Sequence, residues 1–289
     1  MTLEACSYRL PLAKPLRLGD LVVHERRGWL LRNEDGVGDA CPLPNFSRDT
    51  LDDVDAFVAR KGAPSESATW ATFTTRPGVD EALEAKVRTA ELVTDLDEAD
   101  APFACVKLKV GRAPLQAELQ TVARLRAQGV RLRLDGNRAL TVADAQQLAD
   151  AAGDALEFFE EPVAATALEH AIARIPVALD EALLEHEAVP AGAAAYVLKP
   201  TLLGADRTLA LVQLAEARGT PVVISSCYES AVGRAALVRF AAAVAPDVTH
   251  GLGTGSAFAA DYVGWLRADG EHLIASDGAL PEEAEWVTC

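Results

Sequence analysis

From about residue 87 onward, short apolar runs alternate with helical stretches, and this alternation restricts the possible folds more than any other feature of the chain. The runs cover residues 87–93, 103–110, 130–134, 156–159, 175–179, 195–198 and 221–224. The first is interrupted by Arg88, Thr89 and Glu91. Helical patterns occupy 115–128, 142–152, 167–174, 207–218 and 234–244, and Gly129, Gly153 and Gly219 stand where three of them should stop. Strands that alternate with helices are joined by crossovers, which makes the sheet parallel. Seven runs, with an eighth expected near 248–251, predict a (β/α) barrel over residues 87–265. It is compact, since about 180 residues carry what usually takes about 250.

Residues 1–86 have a different texture. An extended run at 21–32, the turn signal Asn33-Glu34-Asp35-Gly36 and a return strand at 37–41 predict a hairpin. The proline-rich loop 42–46 follows, then a helix over 48–60 capped by Ser47. This is an α+β unit, with the segment from about 266 to 289 as a candidate to return to it.

With 43 acidic and 27 basic residues, the formal net charge is −16. Such a surface repels phosphate backbones and anionic lipid, which argues against nucleic-acid and membrane roles. No long apolar run is present to span a bilayer. The five cysteines show neither CxxC nor zinc spacing and read as reduced thiols. The start, MTLEACSYRL, has no signal-peptide pattern, so a cytoplasmic protein is expected.

In a barrel the chemistry lies where strands end. Here the ends are charged: Lys107-Leu108-Lys109, then Asp135, Glu160, Asp180 and Lys199, with Ser225-Ser226 closing the seventh run. Any one of these has an ordinary explanation. A lone carboxylate is usually solvated or starts a helix, Lys107 could form a salt bridge, and Ser225 and Ser226 could cap the following helix. Glu161 reads as a loop residue, Cys227 as a small apolar filler and His250 as structural. Five charged strand ends in succession are harder to obtain by chance.

Side chains alternate along a strand, so Lys107 shares a face with Lys109, and Arg133 with Asp135. If those faces point into the barrel mouth, Asp135, Glu160 and Asp180 converge, and three carboxylates need a compensating cation. All-oxygen ligands suit Mg²⁺, with Mn²⁺ able to substitute. The metal would supply local positive charge for a small anionic substrate. A lysine normally titrates near 10.4, too high for a base at neutral pH. Lys107 and the metal should lower Lys109, letting it remove a proton α to a carboxylate whose enediolate the metal stabilises.

With this pattern the chain resembles the enolase superfamily, in the branch that uses lysines for acid–base work. The longer strings CPLPNFSRDTL, VKLKVG, RLDGNRAL, FFEEP, VLKPTLLG and ISSCYESAVG are similar to the o-succinylbenzoate synthase family within it. The resemblance covers nearly the whole chain. It implies a modified TIM barrel whose N-terminal α+β unit caps the mouth, with Asp135, Glu160 and Asp180 as metal ligands. Lys109 is then the base and Lys199 the second lysine, with Lys107, Arg133, Asn137, Ser225, Ser226 and Gly251 on the substrate side or in support. The implied reaction is a dehydration in menaquinone biosynthesis. An N-succinylamino acid racemase or dipeptide epimerase would use the same metal and lysines, and a scaffold that had lost activity would not need them. GVGDA at 36–40 departs from the tryptophan-containing G-W-G-E more usual in the family.

Overall fold

A computed structural model describes residues 2–75, 85–94, 96, 103–280 and 285–289. They form two compact units, one of Met1–Arg88, Lys199–Gln213 and Ile224–Cys289, the other of Thr89–Leu198 and Leu214–Val223.

Along the chain, β1 (Glu4–Leu18), β2 (Leu21–Arg32) and β3 (Val37–Ala40) precede α1 (Leu51–Val58) and α2 (Glu66–Thr74). Then come β4 (Lys86–Thr89), β5 (Glu91–Val93), β6 (Cys105–Lys109), α3 (Leu115–Ala127), β7 (Arg131–Asp135), α4 (Val142–Ala152) and β8 (Leu156–Glu160). Next are α5 (Leu168–Ile172), β9 (Val177–Leu179), α6 (Glu181–Glu185), β10 (Ala195–Leu198), α7 (Pro200–Arg218) and β11 (Val222–Ile224). The chain ends with α8 (Ala231–Val244), β12 (Thr249–His250), β13 (Leu266–Asp269), β14 (His272–Ala275) and β15 (Val287–Thr288).

The second unit holds the seven-stranded sheet, ordered β11-β10-β9-β8-β7-β6-β5. Pairs from β5 through β10 are parallel. Both faces of such a sheet are covered, so its strands need apolar residues throughout, and Val106, Leu108, Leu132, Leu134, Phe159 and Val177 are fully buried. The fold is a (β/α) barrel with an N-terminal α+β domain. The expected run at 87–93 is two strands, since β4 pairs antiparallel with β14 while β5 pairs parallel with β6. The eighth strand is the short β12, placed beside β4 in the sheet β12-β4-β14-β13.

In the first unit the sheet order is β15-β1-β2-β3. Its core joins Ala5, Leu31, Ala40, Val54, Val58 and Ala71. A side chain at Gly38 would reach within 2.0 Å of Ala71 O, so glycine lets α2 lie directly on β3. Trp70 and Phe73 of α2 meet the Phe240 ring of α8. The helix after the 42–46 loop begins later than expected. Thr50 caps it in a reciprocal box with Asp53, whereas Ser47 Oγ accepts from Leu43 N–H. Of the segment from 266 to 289, β13 and β14 pair with each other and β14 with β4, while Val287 and Thr288 pair with Ala5 and Glu4. Residues 281–284 lie outside the described residues.

Candidate active site

The parallel register of the second unit sets the geometry. Lys109 stands opposite Asp135, and Asp135 opposite Glu160. Lys107 Nζ lies 2.7 Å from both oxygens of Glu160 and 2.9 Å from Asp135 Oδ2. Lys109 Nζ lies 2.8 Å from the same Asp135 oxygen and donates to Asn137 Oδ1 at 2.7 Å. Lys107, Lys109, Asp135, Glu160 and Asn137 therefore form one cluster, with both carboxylates almost fully buried.

Burial alone would raise the carboxyl of Asp135, but the ammonium groups of Lys107 and Lys109 outweigh it and hold the group well below the usual range. Lys109 is shifted down, first by burial, against the pull of Asp135 and with the help of Lys107. Burial is thus the leading cause at Lys109.

Asp180 follows β9 and opens α6, with its side chain buried. Its N–H donates to Glu161 Oε1 at 3.0 Å. Arg133 lies elsewhere on the same strand as Asp135. A bulge in the β7–β8 ladder skips Glu157, and Arg133 grips that carboxylate with two bonds of 2.9 and 3.0 Å. Cys105 Sγ also contacts Glu157, so Arg133 belongs to a layer nearer the strand starts. Glu118 of α3, buried within the helix face, accepts the N–H groups of Arg112 and Ala113 and so fixes the loop after Lys109.

The donor chemistry suits a hard divalent cation: Asp135, Glu160 and Asp180 are buried oxygen donors, and Asp135 Oδ2 is held by charge without an aligned hydrogen bond. Among the described residues no three His, Cys, Asp or Glu side chains close on one point. The Lys107 ammonium lies between Asp135 and Glu160, and it would have to withdraw for both to face a cation.

The other unit carries Lys199, Ser225, Ser226 and Gly251. Lys199 precedes α7, whose first turn ends at Gly204 (φ 73°) before the helix resumes. Gly251 N–H donates to Ile224 O, and Ser226 N–H to Gly251 O. Ser225 and Ser226 hydroxyls both reach Gly251 O, and Ser226 also meets Thr254. A Cβ on Gly251 would lie 2.9 Å from Ser225 Oγ, so a larger residue there would displace the serine hydroxyl.

Two buried side chains that sequence reasoning passed over organise this unit. Glu229 accepts from Thr201 Oγ1 at 2.6 Å and from Cys227 N–H at 2.6 Å, tying the turn after Lys199 to the serine loop. Arg26 donates to the carbonyls of Cys41, Pro42 and Tyr228. Both fall in motifs already noticed or in a strand, yet nothing in their spacing marks the partner. His250 Nδ1 accepts from Ile224 N–H, a structural use. The described residues contain no helix long and apolar enough to cross a membrane, and all five cysteines are free.

The family model described as "Enolase C-terminal domain-like" matches residues 88–278. The chain is 32% identical to o-succinylbenzoate synthase of Citrobacter koseri over 86% of its own length and 88% of that protein. It is also 32% identical to o-succinylbenzoate synthase of Haemophilus influenzae, with the same coverage of each chain. Among solved structures it is similar to o-succinylbenzoate synthase from Thermosynechococcus elongatus complexed with Mg, at a TM-score of 0.72 and 22% identity over 87% of this chain and 92% of that one. With a family model spanning most of the barrel and relatives matched along most of both chains, the protein belongs to the enolase superfamily.

Proposed function

We propose that the chain is an o-succinylbenzoate synthase of menaquinone biosynthesis. It would remove water from 2-succinyl-6-hydroxy-2,4-cyclohexadiene-1-carboxylate to give 2-succinylbenzoate. The observation that carries this reading is the likeness to enzymes of that name along most of both chains. The cluster of Lys107, Lys109, Asp135 and Glu160 supports it, because a buried lysine whose pKa is lowered can serve as the base that removes a proton α to a carboxylate.

In this reading Asp135, Glu160 and Asp180 hold Mg²⁺, or Mn²⁺ in its place. The metal, when bound, supplies Lewis-acid stabilisation of charge on the substrate carboxylate. Lys109 takes the α proton onto Nζ and, now an ammonium, returns it to the departing hydroxyl. Proton and hydroxyl leave together as water and the ring becomes aromatic. Asn137 orients Lys109 through its Oδ1 contact. Lys199 contributes a fixed positive charge to the delocalised anion. Lys107, Arg133, Ser225, Ser226 and Gly251 bind substrate or support those that do. Residues 1–86, with the C-terminal segment, act as the capping domain of a barrel spanning 87–265, in a cytoplasmic enzyme without nucleic-acid or membrane partners.

The test offers the cyclohexadiene substrate and N-succinyl amino acids side by side to protein supplied with Mg²⁺. Dehydration at a high kcat/KM is expected. Racemisation of N-succinyl amino acids without dehydration overturns the proposal in favour of a racemase, and no turnover of either overturns both.

A further inference from the structure

Three non-glycine residues beside the candidate centre adopt left-handed backbone conformations: Asn137 (φ 40°), Arg138 (φ 64°) and Glu161 (φ 38°). Each costs about 1 kcal/mol or more and persists only where surrounding contacts enforce it. The contacts run through one residue. Arg138 N–H donates to Glu161 O at 2.7 Å. Its guanidinium reaches Glu161 Oε2 at 2.9 Å through Nε and Glu185 Oε1 at 2.7 Å through Nη1.

Glu161 is fully buried, and its other oxygen accepts the N–H groups of Asp180 and Ala182 at 3.0 and 2.9 Å. Both oxygens of Glu161 are therefore taken up, one by the Arg138 guanidinium and the other by two backbone N–H groups, and removing Arg138 would leave the first without its donor. Held in this way, Glu161 fixes the backbone of Asp180 at φ −127°, ψ −84°, outside the helix it precedes. On the opposite side, the same left-handed turn presents Asn137 Oδ1 to Lys109 Nζ, while Asn137 N–H donates to Asp135 Oδ1 at 3.2 Å.

We propose that Arg138 is a positioning residue that couples the lysine base to the metal ligand Asp180, acting through Asn137 on one side and Glu161 on the other. The inference rests on the proposed roles of Lys109 and Asp180. Neither Arg138 nor Glu161 touches substrate; both set the geometry of groups that do. Residues in the outer shell of a metal site typically change affinity by about 10- to 100-fold when removed.

The experiment measures Mg²⁺ binding by calorimetry for the parent, Arg138→Met, Glu161→Gln and Arg126→Met, with circular dichroism to establish folding. Arg126 forms an exposed ion pair with Asp154 and serves as the control. Arg138→Met should weaken Mg²⁺ binding about tenfold or more with kcat lowered, and Arg126→Met should match the parent. Glu161→Gln keeps the volume but turns an amide donor toward Arg138 or toward the two N–H groups, so the same loss is expected. It decides the matter if Arg138→Met does not fold. Folded variants that bind Mg²⁺ less than about fivefold more weakly than the parent overturn the inference. A parent that binds no Mg²⁺ overturns instead the metal reading on which it rests.

Discussion

Lys107 and Lys109 sit on one strand, share one carboxylate oxygen and differ in their second partner. Lys107 turns to Glu160, whereas Lys109 turns to the neutral Asn137. The second ammonium adds to the burial that depresses Lys109, so proximity of two like charges makes one of them a better base. A guanidinium at that position cannot lose its proton near neutrality, and Lys109→Arg should lower dehydration by about 10²- to 10⁴-fold, the usual contribution of a general base. Lys199→Arg keeps the charge that its proposed role requires and should retain measurable dehydration, with Lys199→Ala losing far more. Steady-state turnover of the cyclohexadiene substrate by these variants is the measurement. Activity in Lys109→Arg together with a dead Lys199→Arg would overturn this assignment and make Lys199 the base.

Whole elements were legible in the sequence where an apolar run ended in a charge. The boundaries of β10 are those expected, and β6, β7, β8 and β11 differ by a residue or two. Asp135 beside Lys109 follows from parallel register alone, since both close adjacent strands. What escaped was structure whose cause lies in a partner. β1 was missed because Pro11, Lys14 and Pro15 break its alternation, and the ladder with β2 slips between Pro11 and Leu16. α2 was missed because its buried positions include Ser67 and Thr74, which mark no apolar stripe. Residues such as Arg138 and Glu229 matter through contacts 23 to 28 positions away, and no local pattern announces them. The join between β3 and the start of α8 is of this kind. Asp39, in the string that departs from the family's usual G-W-G-E, accepts from Tyr8 OH and from Ser230 N–H and Oγ, and Ser230 is the N-cap of α8. Burial raises the carboxyl of Asp39 to about 6, against the lowering effect of the Ser230 and Tyr8 hydrogen bonds and with a small push from Glu229. Arg26, Tyr8, Cys41 and Tyr262 also face that junction, and Asp261 accepts from Ala231 N–H beside it. In the unfolded chain the same group titrates near 3.9, so between about pH 4 and 6 the folded form binds the extra proton and stability declines as pH rises. The shift corresponds to about 3 kcal/mol at most. Urea unfolding from pH 4 to pH 7 should show this downward slope in the parent and its loss in Asp39→Asn. An equal slope in both would remove Asp39 as its source.

At the scale of the molecule, a net charge of −16 and three buried carboxylates at consecutive strand ends make divalent cations act in two separable ways. Any cation screens the surface, and that effect depends on ionic strength alone. A specific Mg²⁺ site adds linkage, because an ion that binds only the folded chain stabilises it by RT ln(1 + [L]/Kd), about 2.7 kcal/mol at about 100 times Kd. For a chain of 289 residues this should raise Tm by roughly 4 °C. Sodium chloride at matched ionic strength should give a smaller rise, equal in the parent and in Asp180→Asn. Mg²⁺ should raise the parent's Tm beyond that screening level and leave Asp180→Asn at it, since the variant lacks one anionic oxygen donor while its backbone bond to Glu161 survives. The order of these four transitions, recorded by differential scanning calorimetry after treatment with a chelator, separates the two effects without any assay of turnover. A parent that gains no more from Mg²⁺ than from sodium would mean that the acidic surface alone accounts for the response, and a variant that gains as much as the parent would mean that Asp180 does not hold the metal.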